Sequence, residues 1–260
     1  MNTIDIARIR SIFQDNIPVK IISEEIFALP QGTSQAEIKE VMDKENFDII
    51  GARNTNGTIT GYYHRDDVAD KQQLLLPRPF IHDHIISDSA SILTAFRLLS
   101  KFEYLFLLEE NRINRLITRS DLDKIPVRLW LFGIISILEL QLKEIIESEY
   151  PGEGWKNFIT ENRVTYAKKL HNEKVKHNEE TELIQCLQFC DLKEIIIKSE
   201  KLMLVFEKVY TANDLEEILS KIMNLRDYLA HAQKITKNFT TLDLQETSNH
   251  IEKLFGCLNI

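Results

Sequence analysis

One pattern occurs twice in this chain, and it constrains the fold more than any other feature of the sequence. Residues 57–68 read GTITGYYHRDDV, and residues 111–122 read NRINRLITRSDL. Each copy is typical of a turn followed by a β-strand and a helix cap, and Asp67 and Asp121 occupy the same place in the two copies, 54 residues apart. A unit repeated at this spacing predicts two similar lobes that pack on each other.

The repeat extends towards the N-terminus of each copy. Residues 34–46 match residues 89–101 as an amphipathic helix, and residues 47–50 match residues 102–105 as the strand that follows. The offset here is 55, so one residue is gained or lost in the turn before the repeated strand, where hairpins tolerate such changes. Each lobe is therefore predicted to contain a helix, a strand, a turn, a strand and a cap, in that order.

The strand and cap of each copy resemble the capping motif of the CBS domain, the cystathionine-β-synthase-type module. That motif is a glycine, two apolar residues, a threonine, two variable residues and an aspartate. The matching positions are Gly61, His64 and Asp67 in the first copy and Arg115, Thr118 and Asp121 in the second. Each copy departs from the motif once, because His64 replaces the threonine and Arg115 replaces the glycine. CBS domains occur in tandem pairs and bind adenosine-containing nucleotides in the clefts between the copies, so the resemblance implies AMP, ADP or ATP as a regulatory ligand.

The motif residues suit such a ligand. A carboxylate can accept both hydroxyl protons of a ribose diol, so Asp67 and Asp121 are the predicted ribose ligands. Thr118 can donate to a phosphate oxygen, and His64 can do so from a ring nitrogen. The alternative is that the two aspartates only cap helices. Recurrence of the motif within a whole-lobe repeat favours ligand binding.

Composition is that of a globular protein. The chain has 260 residues, is 43% hydrophobic and contains three cysteines, so it can bury one large core or two modest ones without a disulfide framework.

No charged and then apolar leader precedes Asp5, and a cytoplasmic protein is expected. The longest apolar run, residues 129–138, is shorter than the roughly 20 residues that cross a bilayer, so it predicts a buried helix and no membrane partner.

A change in composition marks the domain boundary. Residues 123–126 read DKIP, in which the aspartate can cap a helix and the proline can occupy its first turn. We therefore assign residues 1–125 to the CBS pair, with copies at about 25–70 and 80–123, and residues 126–260 to a second domain.

The second domain is predicted to be entirely helical, because residues 155–255 contain neither glycine nor proline. Caps and polar clusters place helices at 126–149, 159–177, 181–208, 213–233 and 241–255. The expected fold class is α+β, with two α/β lobes carrying small sheets followed by an all-α bundle.

A motif in the fourth of these helices resembles the catalytic signature of the HEPN domain, which is an arginine, a polar residue, three to five further residues and a histidine. Arg226, Asp227 and His231 fill its three places. The resemblance implies RNA cleavage without a metal, in which the histidine transfers protons, the arginine stabilises the developing charge and the aspartate orients the imidazole. Arg226 and His231 point about 140° apart around an undistorted helix, so the resemblance also implies a homodimer with a shared site.

Two alternatives remain open from the sequence. Arg226 can simply pair with a carboxylate such as Glu217 or Asp227, and the bundle can serve dimerisation or partner docking in a non-catalytic nucleotide sensor. The formal net charge of -8 does not favour bulk attraction to nucleic acid, although it does not exclude RNA as a partner.

Overall fold

The computed structural model describes residues 17–69, 75–177, 179–231 and 238–258. Among these residues the chain divides into two compact units, an N-terminal unit that ends at Val127 and a C-terminal unit that begins at Arg128. All seven strands described lie in the N-terminal unit, and the described part of the C-terminal unit consists of helices and their connections. The α+β architecture predicted from the sequence is confirmed.

The N-terminal unit contains the two predicted lobes. After a short strand β1 (Glu24–Glu25), lobe 1 consists of β2 (Ala28–Pro30), α1 (Gln35–Glu45), β3 (Ile49–Arg53), β4 (Ile59–His64) and α2 (Arg65–Ala69). Lobe 2 consists of β5 (Ile85–Ser87), α3 (Ile92–Leu99), β6 (Tyr104–Glu109), β7 (Arg112–Thr118) and the 3₁₀ turn Arg119–Asp123. The predicted order of helix, strand, turn, strand and cap is therefore present in both lobes.

The strand pairing repeats between the lobes. The sheet orders are β2-β3-β4 in lobe 1 and β1-β7-β6-β5 in lobe 2. Ile49 pairs with His64 as Tyr104 pairs with Thr118, and each antiparallel ladder shifts register at the same place, after Ala52 and after Leu107. The repeat seen in the sequence is thus a repeat of backbone geometry.

The sequence alignment of the two helices needs a correction. The side chain of Ser34 accepts a hydrogen bond from Glu37 N and caps α1, and its counterpart in lobe 2 is Ser91, which caps α3, rather than Ser89. The offset is therefore 57 at the helix starts. The offset falls to 55 at the next strand for two reasons. Helix α3 has 8 residues whereas α1 has 11, and the loop after α3 is one residue longer than the loop after α1.

Each lobe also completes the sheet of the other, which the sequence did not predict. Strand β1 precedes lobe 1 in the chain but pairs with β7 of lobe 2, with Glu24 opposite Leu116. In the same way Arg78, which precedes lobe 2, pairs with Tyr62 of lobe 1 through hydrogen bonds of 3.0 and 2.7 Å. Each lobe therefore contributes a segment that pairs with the sheet of the other lobe, and these pairings hold the two lobes together.

The lobes share an apolar core. One buried cluster combines residues from both lobes: Ile26, Ala28, Ile49, Ile59, Tyr62, Tyr104 and Phe106. Within it the hydroxyls of Tyr62 and Tyr104 lie 2.9 Å apart, so the polar ends of the two rings satisfy each other. Burial, together with this hydrogen bond, raises the pKa of Tyr104.

The described part of the C-terminal unit contains α4 (Ile125–Glu149), whose first three residues are assigned to the N-terminal unit, α5 (Glu161–Lys176), α6 (Phe189–Lys198), α7 (Glu200–Phe206), α8 (Ala212–Ala230) and α9 (Thr241–Cys257), with 3₁₀ turns at Gly154–Phe158 and Leu183–Cys186. The predicted helix at 181–208 is wrong, because that segment forms the second 3₁₀ turn, α6 and α7. The predicted start of α8 at residue 213 is also wrong by one residue. The helix begins at Ala212, because Thr211 and Asp214 form its capping box.

Side-chain capping causes both breaks in the 181–208 segment. Gln188 forms a capping box with Asp191 at the start of α6, and the buried carboxylate of Asp191 also binds Arg163 of α5. Ser199 has an extended backbone and accepts a hydrogen bond from Leu202 N, while its hydroxyl lies 2.5 Å from the hydroxyl of Tyr150. The capping contacts are local, whereas the contacts of Arg163 and Tyr150 come from distant segments that a helix-period pattern alone could not show.

Helix α4 extends beyond the apolar run that the sequence marked. It is long and apolar enough to meet a length and composition test for a membrane span, whereas the run at 129–138 was predicted to be too short. Of the most apolar 18-residue window, 56% is buried inside the protein, which is the pattern of a core helix and makes this weak evidence for a span.

Candidate ligand-binding cleft

A cleft of about 660 Å³ lies between the two lobes. Equivalent positions of both lobes line it, in the pairs Asp48 and Glu103, Ile49 and Tyr104, His64 and Thr118, Arg65 and Arg119, and Asp66 and Ser120. Every pair is separated by the repeat offset of 54 or 55 residues. Equivalent positions of the two lobes therefore meet at one cleft.

Two of the four residues predicted to bind the nucleotide, His64 and Thr118, line this cleft. His64 Nδ1 lies 3.3 Å from both the backbone N and the carboxylate Oδ2 of Asp66, so Asp66 contacts this side of the ring. The hydroxyls of Thr118 and Ser120 lie 2.7 Å apart. The cleft thus contains hydroxyl and imidazole groups that can donate to a ligand oxygen.

The other two predicted residues, Asp67 and Asp121, do not line the cleft in this structure, and both carboxylates already have partners. Asp121 is 5% exposed, and its Oδ2 accepts a hydrogen bond of 2.7 Å from Thr118 N in a capping box. Its Oδ1 lies 2.6 Å from Nζ of Lys124. Arg78 binds Asp67 through two hydrogen bonds of 2.6 Å each, and these bonds raise the pKa of the guanidinium. Asp121 therefore acts as a cap, as the alternative interpretation of the sequence predicted, and it also binds Lys124.

Two arginines on the cleft wall repeat an interaction that the sequence analysis missed. Arg65 binds the carbonyl oxygens of Met42 and Phe47 with Nη2, at 2.7 and 2.8 Å, just beyond the C-terminal turn of α1. Arg119 donates from Nε to the carbonyl oxygen of Leu99 at the end of α3. Each arginine follows its repeated strand directly, so their common offset of 54 was the signal that could have found them. They anchor the helix ends of both lobes.

An exposed aromatic face borders the cleft. Phe27 and Phe47 both line it, their ring centroids are 5.7 Å apart, and Phe27 is 46% exposed. Lobe 2 carries an aromatic pair at the matching positions, His84 and Phe102, with centroids 4.5 Å apart. Aromatic faces of this kind stack on nucleic-acid bases.

The motif residues of the C-terminal unit do not converge. Arg226 Nε lies 3.7 Å from Oε2 of Glu139, and its Nη1 lies 3.2 Å from Oδ1 of Asp227. His231 is exposed at the C-terminal end of α8, five residues further along the chain. The pairing of Arg226 with a neighbouring carboxylate, which the sequence left open, is present, although Glu139 of α4 takes the place of Glu217.

No protein-family model matches the chain, and no curated protein matches it in sequence. Solved structures that resemble its N-terminal two fifths include CBS-domain pairs. An uncharacterized conserved protein from Pyrococcus horikoshii is 18% identical, with 42% of this chain and 90% of that chain covered and a TM-score of 0.34. A CBS-pair protein from Arabidopsis thaliana is 16% identical over 44% and 94%, with a TM-score of 0.36. A CBS-domain pair solved with 5′-methylthioadenosine and S-adenosyl-L-methionine is 16% identical over 40% and 95%, with a TM-score of 0.35.

Proposed function

We propose that the N-terminal unit binds an adenosine-containing ligand in the cleft between its lobes and that the protein is a sensor of that ligand. One observation carries the proposal: both lobes present the same sequence positions to one cleft, and His64 and Thr118 of the predicted binding motif are among them. A repeated motif that meets itself at a shared cleft is suited to binding.

The cleft offers the groups that a nucleoside needs. Phe27 presents an exposed aromatic face on which a base can stack. The hydroxyls of Thr118 and Ser120 and the ring N–H of His64 can donate to oxygen atoms at the 5′ end. The preference for adenine comes from the resemblance of the repeated motif to CBS domains.

The ribose role of Asp67 and Asp121 stays a prediction. A carboxylate oxygen can accept more than one hydrogen bond, so a diol can add to the existing partners or displace them. A diol that binds Asp67 would compete with the two hydrogen bonds that Arg78 donates to the same carboxylate.

RNA cleavage by the C-terminal unit, its HEPN type, a homodimer and a cytoplasmic location also stay predictions. Arg226 is engaged by Glu139 and Asp227, and no contact between its side chain and that of His231 is present among the described residues.

Isothermal titration calorimetry of the full chain with adenosine, guanosine and cytidine tests the proposal. We expect adenosine to bind and the other two to bind more weakly. Phe27→Ala should weaken adenosine binding about fivefold or more through lost stacking, because base stacking on an aromatic side chain contributes about 1–3 kcal/mol. Ile21→Ala is the matched control, since Ile21 is an exposed apolar residue of the same unit that does not line the cleft. Absence of binding by all three nucleosides would refute the proposal.

A further inference from the structure

We infer that His64 takes up a proton when an adenosine derivative with an anionic 5′ group binds in the cleft, so that the affinity for such a ligand rises as the pH falls. The inference rests on the proposed function and adds to it a ligand class and a dependence on pH. It follows from the partners of the His64 ring and from the pairing of the charged groups on the cleft wall.

The two lobes differ at one position of the repeated motif that faces the cleft. His64 of lobe 1 and Thr118 of lobe 2 occupy equivalent places, and both line the cleft. A histidine can change its charge between about pH 5 and about pH 8, whereas a threonine hydroxyl cannot. The lobe 1 side of the cleft therefore carries a group that titrates near neutral pH where lobe 2 carries one that does not.

The two nitrogens of the His64 ring have different surroundings. Nδ1 lies 3.3 Å from the backbone N and 3.3 Å from the carboxylate Oδ2 of Asp66. Within the described part of the chain, the hydrogen bond and the ion pair of this ring both involve Nδ1, which leaves Nε2 for a ligand.

Protonation decides how many partners the ring can serve as a donor. A neutral imidazole has one N–H, so it can donate either to the Asp66 carboxylate through Nδ1 or to a ligand oxygen through Nε2. An imidazolium has two, so it can donate to both at once. The arrangement around His64 therefore suits the protonated ring once an anionic ligand is present.

Pairing of the other charges on the cleft wall singles out Asp66. Five carboxylates line the cleft, and four of them lie within 4 Å of a lysine or arginine. The pairs are Glu24 with Lys124, Glu25 with Arg115, Asp48 with Arg65 and Glu103 with Arg119, at 2.9, 3.7, 2.9 and 3.9 Å. Asp66 is the fifth, and among the described residues its ionic partner is His64, which is a cation only when protonated.

The groups that approach the ring from other elements are uncharged. Tyr104 of β6 packs against His64 with ring centroids 5.7 Å apart, and burial raises the pKa of its hydroxyl, so it stays neutral near pH 7. Ile49 of β3 is the residue opposite His64 in the antiparallel ladder. The cations that line the cleft, Arg65 and Arg119, each have a carboxylate partner of their own.

An anionic 5′ group at Nε2 would give the ring a second negative neighbour besides Asp66. Opposite charges close to an ionisable group favour its charged form, so the imidazolium becomes more populated in the complex than in the free protein. Binding then removes a proton from solution, and by linkage the affinity increases as the pH falls.

Isothermal titration calorimetry of the full chain with adenosine and adenosine 5′-sulfate, at about pH 6 and about pH 8, tests the inference. The sulfate ester keeps one negative charge at both values, whereas a phosphate ester titrates near pH 6 itself. We expect the affinity for the sulfate to be at least about threefold higher at the lower pH. Two unit charges roughly 4 Å apart in water change affinity about fivefold, and the ring is only partly converted over this range. Adenosine should show a smaller change.

Proton uptake is the second readout, obtained by repeating the titrations near neutral pH in buffers of different ionisation enthalpy. The parent chain should take up a fraction of one proton for each adenosine 5′-sulfate bound. His64→Thr, which gives lobe 1 the residue of lobe 2 and keeps a hydroxyl donor, should bind the sulfate without proton uptake.

Two further variants make the result specific. Asp66→Asn, a change at a side chain that is 83% exposed, should reduce the proton uptake because the imidazolium loses its carboxylate. His82→Gln is the matched control and should behave like the parent, since His82 is an exposed histidine of the same unit that does not line the cleft.

An affinity for adenosine 5′-sulfate that does not change with pH, or proton uptake that persists in His64→Thr, would overturn the inference and leave the proposed function intact if adenosine binds. Absence of binding by both probes at both pH values would overturn the proposed function and the inference with it.

Discussion

Arg78 forms a two-point ion pair with Asp67, in which Nε lies 2.6 Å from Oδ2 and Nη2 lies 2.6 Å from Oδ1. The arginine belongs to the segment that leads into lobe 2, yet its backbone pairs with lobe 1. In lobe 2, Lys124 binds both Asp121 and the carbonyl oxygen of Ile22, which precedes β1. Each motif aspartate therefore helps to hold the segment that the other lobe contributes.

We predict that Arg78→Ala lowers the free energy of unfolding by about 1–2 kcal/mol, since a two-point pair of intermediate exposure lies between an exposed pair and a buried one. The side chains of Arg78 and Asp67 are 39% and 31% exposed. A double-mutant cycle with Asp67→Ala, measured by urea unfolding, should return a coupling energy of the same size. Lys44→Ala is the control, because Lys44 forms only an exposed contact with Glu45.

The same variant reports on the predicted ribose role. If Asp67 binds the diol, Arg78→Ala frees its carboxylate and adenosine binds more tightly. Unchanged affinity would show that Asp67 serves the fold alone. A coupling energy no larger than that of an exposed pair, roughly 0.5 kcal/mol, would contradict the structural role.

Gly61 allows the close approach of the exchanged segment. A Cβ at this position would lie 2.6 Å from the carbonyl oxygen of Arg78, which is backbone and cannot move aside cheaply. We expect Gly61→Ala to lower the free energy of unfolding by about 2–4 kcal/mol through loss of the pairing between Tyr62 and Arg78. Gly256→Ala in α9 should raise stability by about 0.5–1 kcal/mol, since its Cβ would meet open space in a helix. Equal effects of the two variants in thermal unfolding would contradict the steric argument.

Stability of the C-terminal unit should fall at mildly acidic pH because of His250. Burial, and then the charge of Lys253, lower the pKa of this histidine from 6.5, and its Nδ1 lies 3.1 Å from the hydroxyl of Tyr210. The unfolded chain therefore takes up a proton at a higher pH than the folded one. The stabilisation is present above pH 6.5 and is lost as the pH falls through the lowered pKa of the folded state.

Unfolding free energies measured at about pH 7.5 and about pH 5.5 check this prediction. His250→Gln should show a smaller loss between the two values than the parent chain. The control variant His177→Gln, which changes an exposed histidine, should behave like the parent. A parent chain whose loss equals that of His250→Gln would exclude this histidine as the cause.

The HEPN resemblance predicts that the full chain cleaves RNA in the presence of EDTA and that His231→Ala reduces the rate at least about 100-fold, the typical contribution of a general acid or base. Gel electrophoresis of total RNA after incubation measures this. His177→Ala serves as the control for an exposed histidine outside the motif. An inactive parent chain that binds adenosine would favour the non-catalytic sensor.

Local signals explain what was predicted correctly. Ser34 marked the start of α1, Thr118 and Asp121 marked a cap, and Thr240 with Asp243 marked the start of α9, because in each case the partners are a few residues apart. The break at Ser199 and the pairing of β1 with β7 were missed. Their partners are Tyr150 and Leu116, which lie about 50 and about 90 residues away in the chain.

The sequence by itself determined the duplicated lobes and the polar residues that end each repeated strand, because side-chain periodicity and capping act over a few residues. Tertiary structure alone decided which of those polar groups remain available to a ligand. Asp67 and Asp121 have the same motif position, yet Arg78 reaches Asp67 only because the segment before lobe 2 pairs with lobe 1, whereas Lys124 reaches Asp121 from three residues further along the chain. The availability of a charged group depends on what the fold places beside it, because a partner satisfies a buried or half-buried charge that water would otherwise solvate.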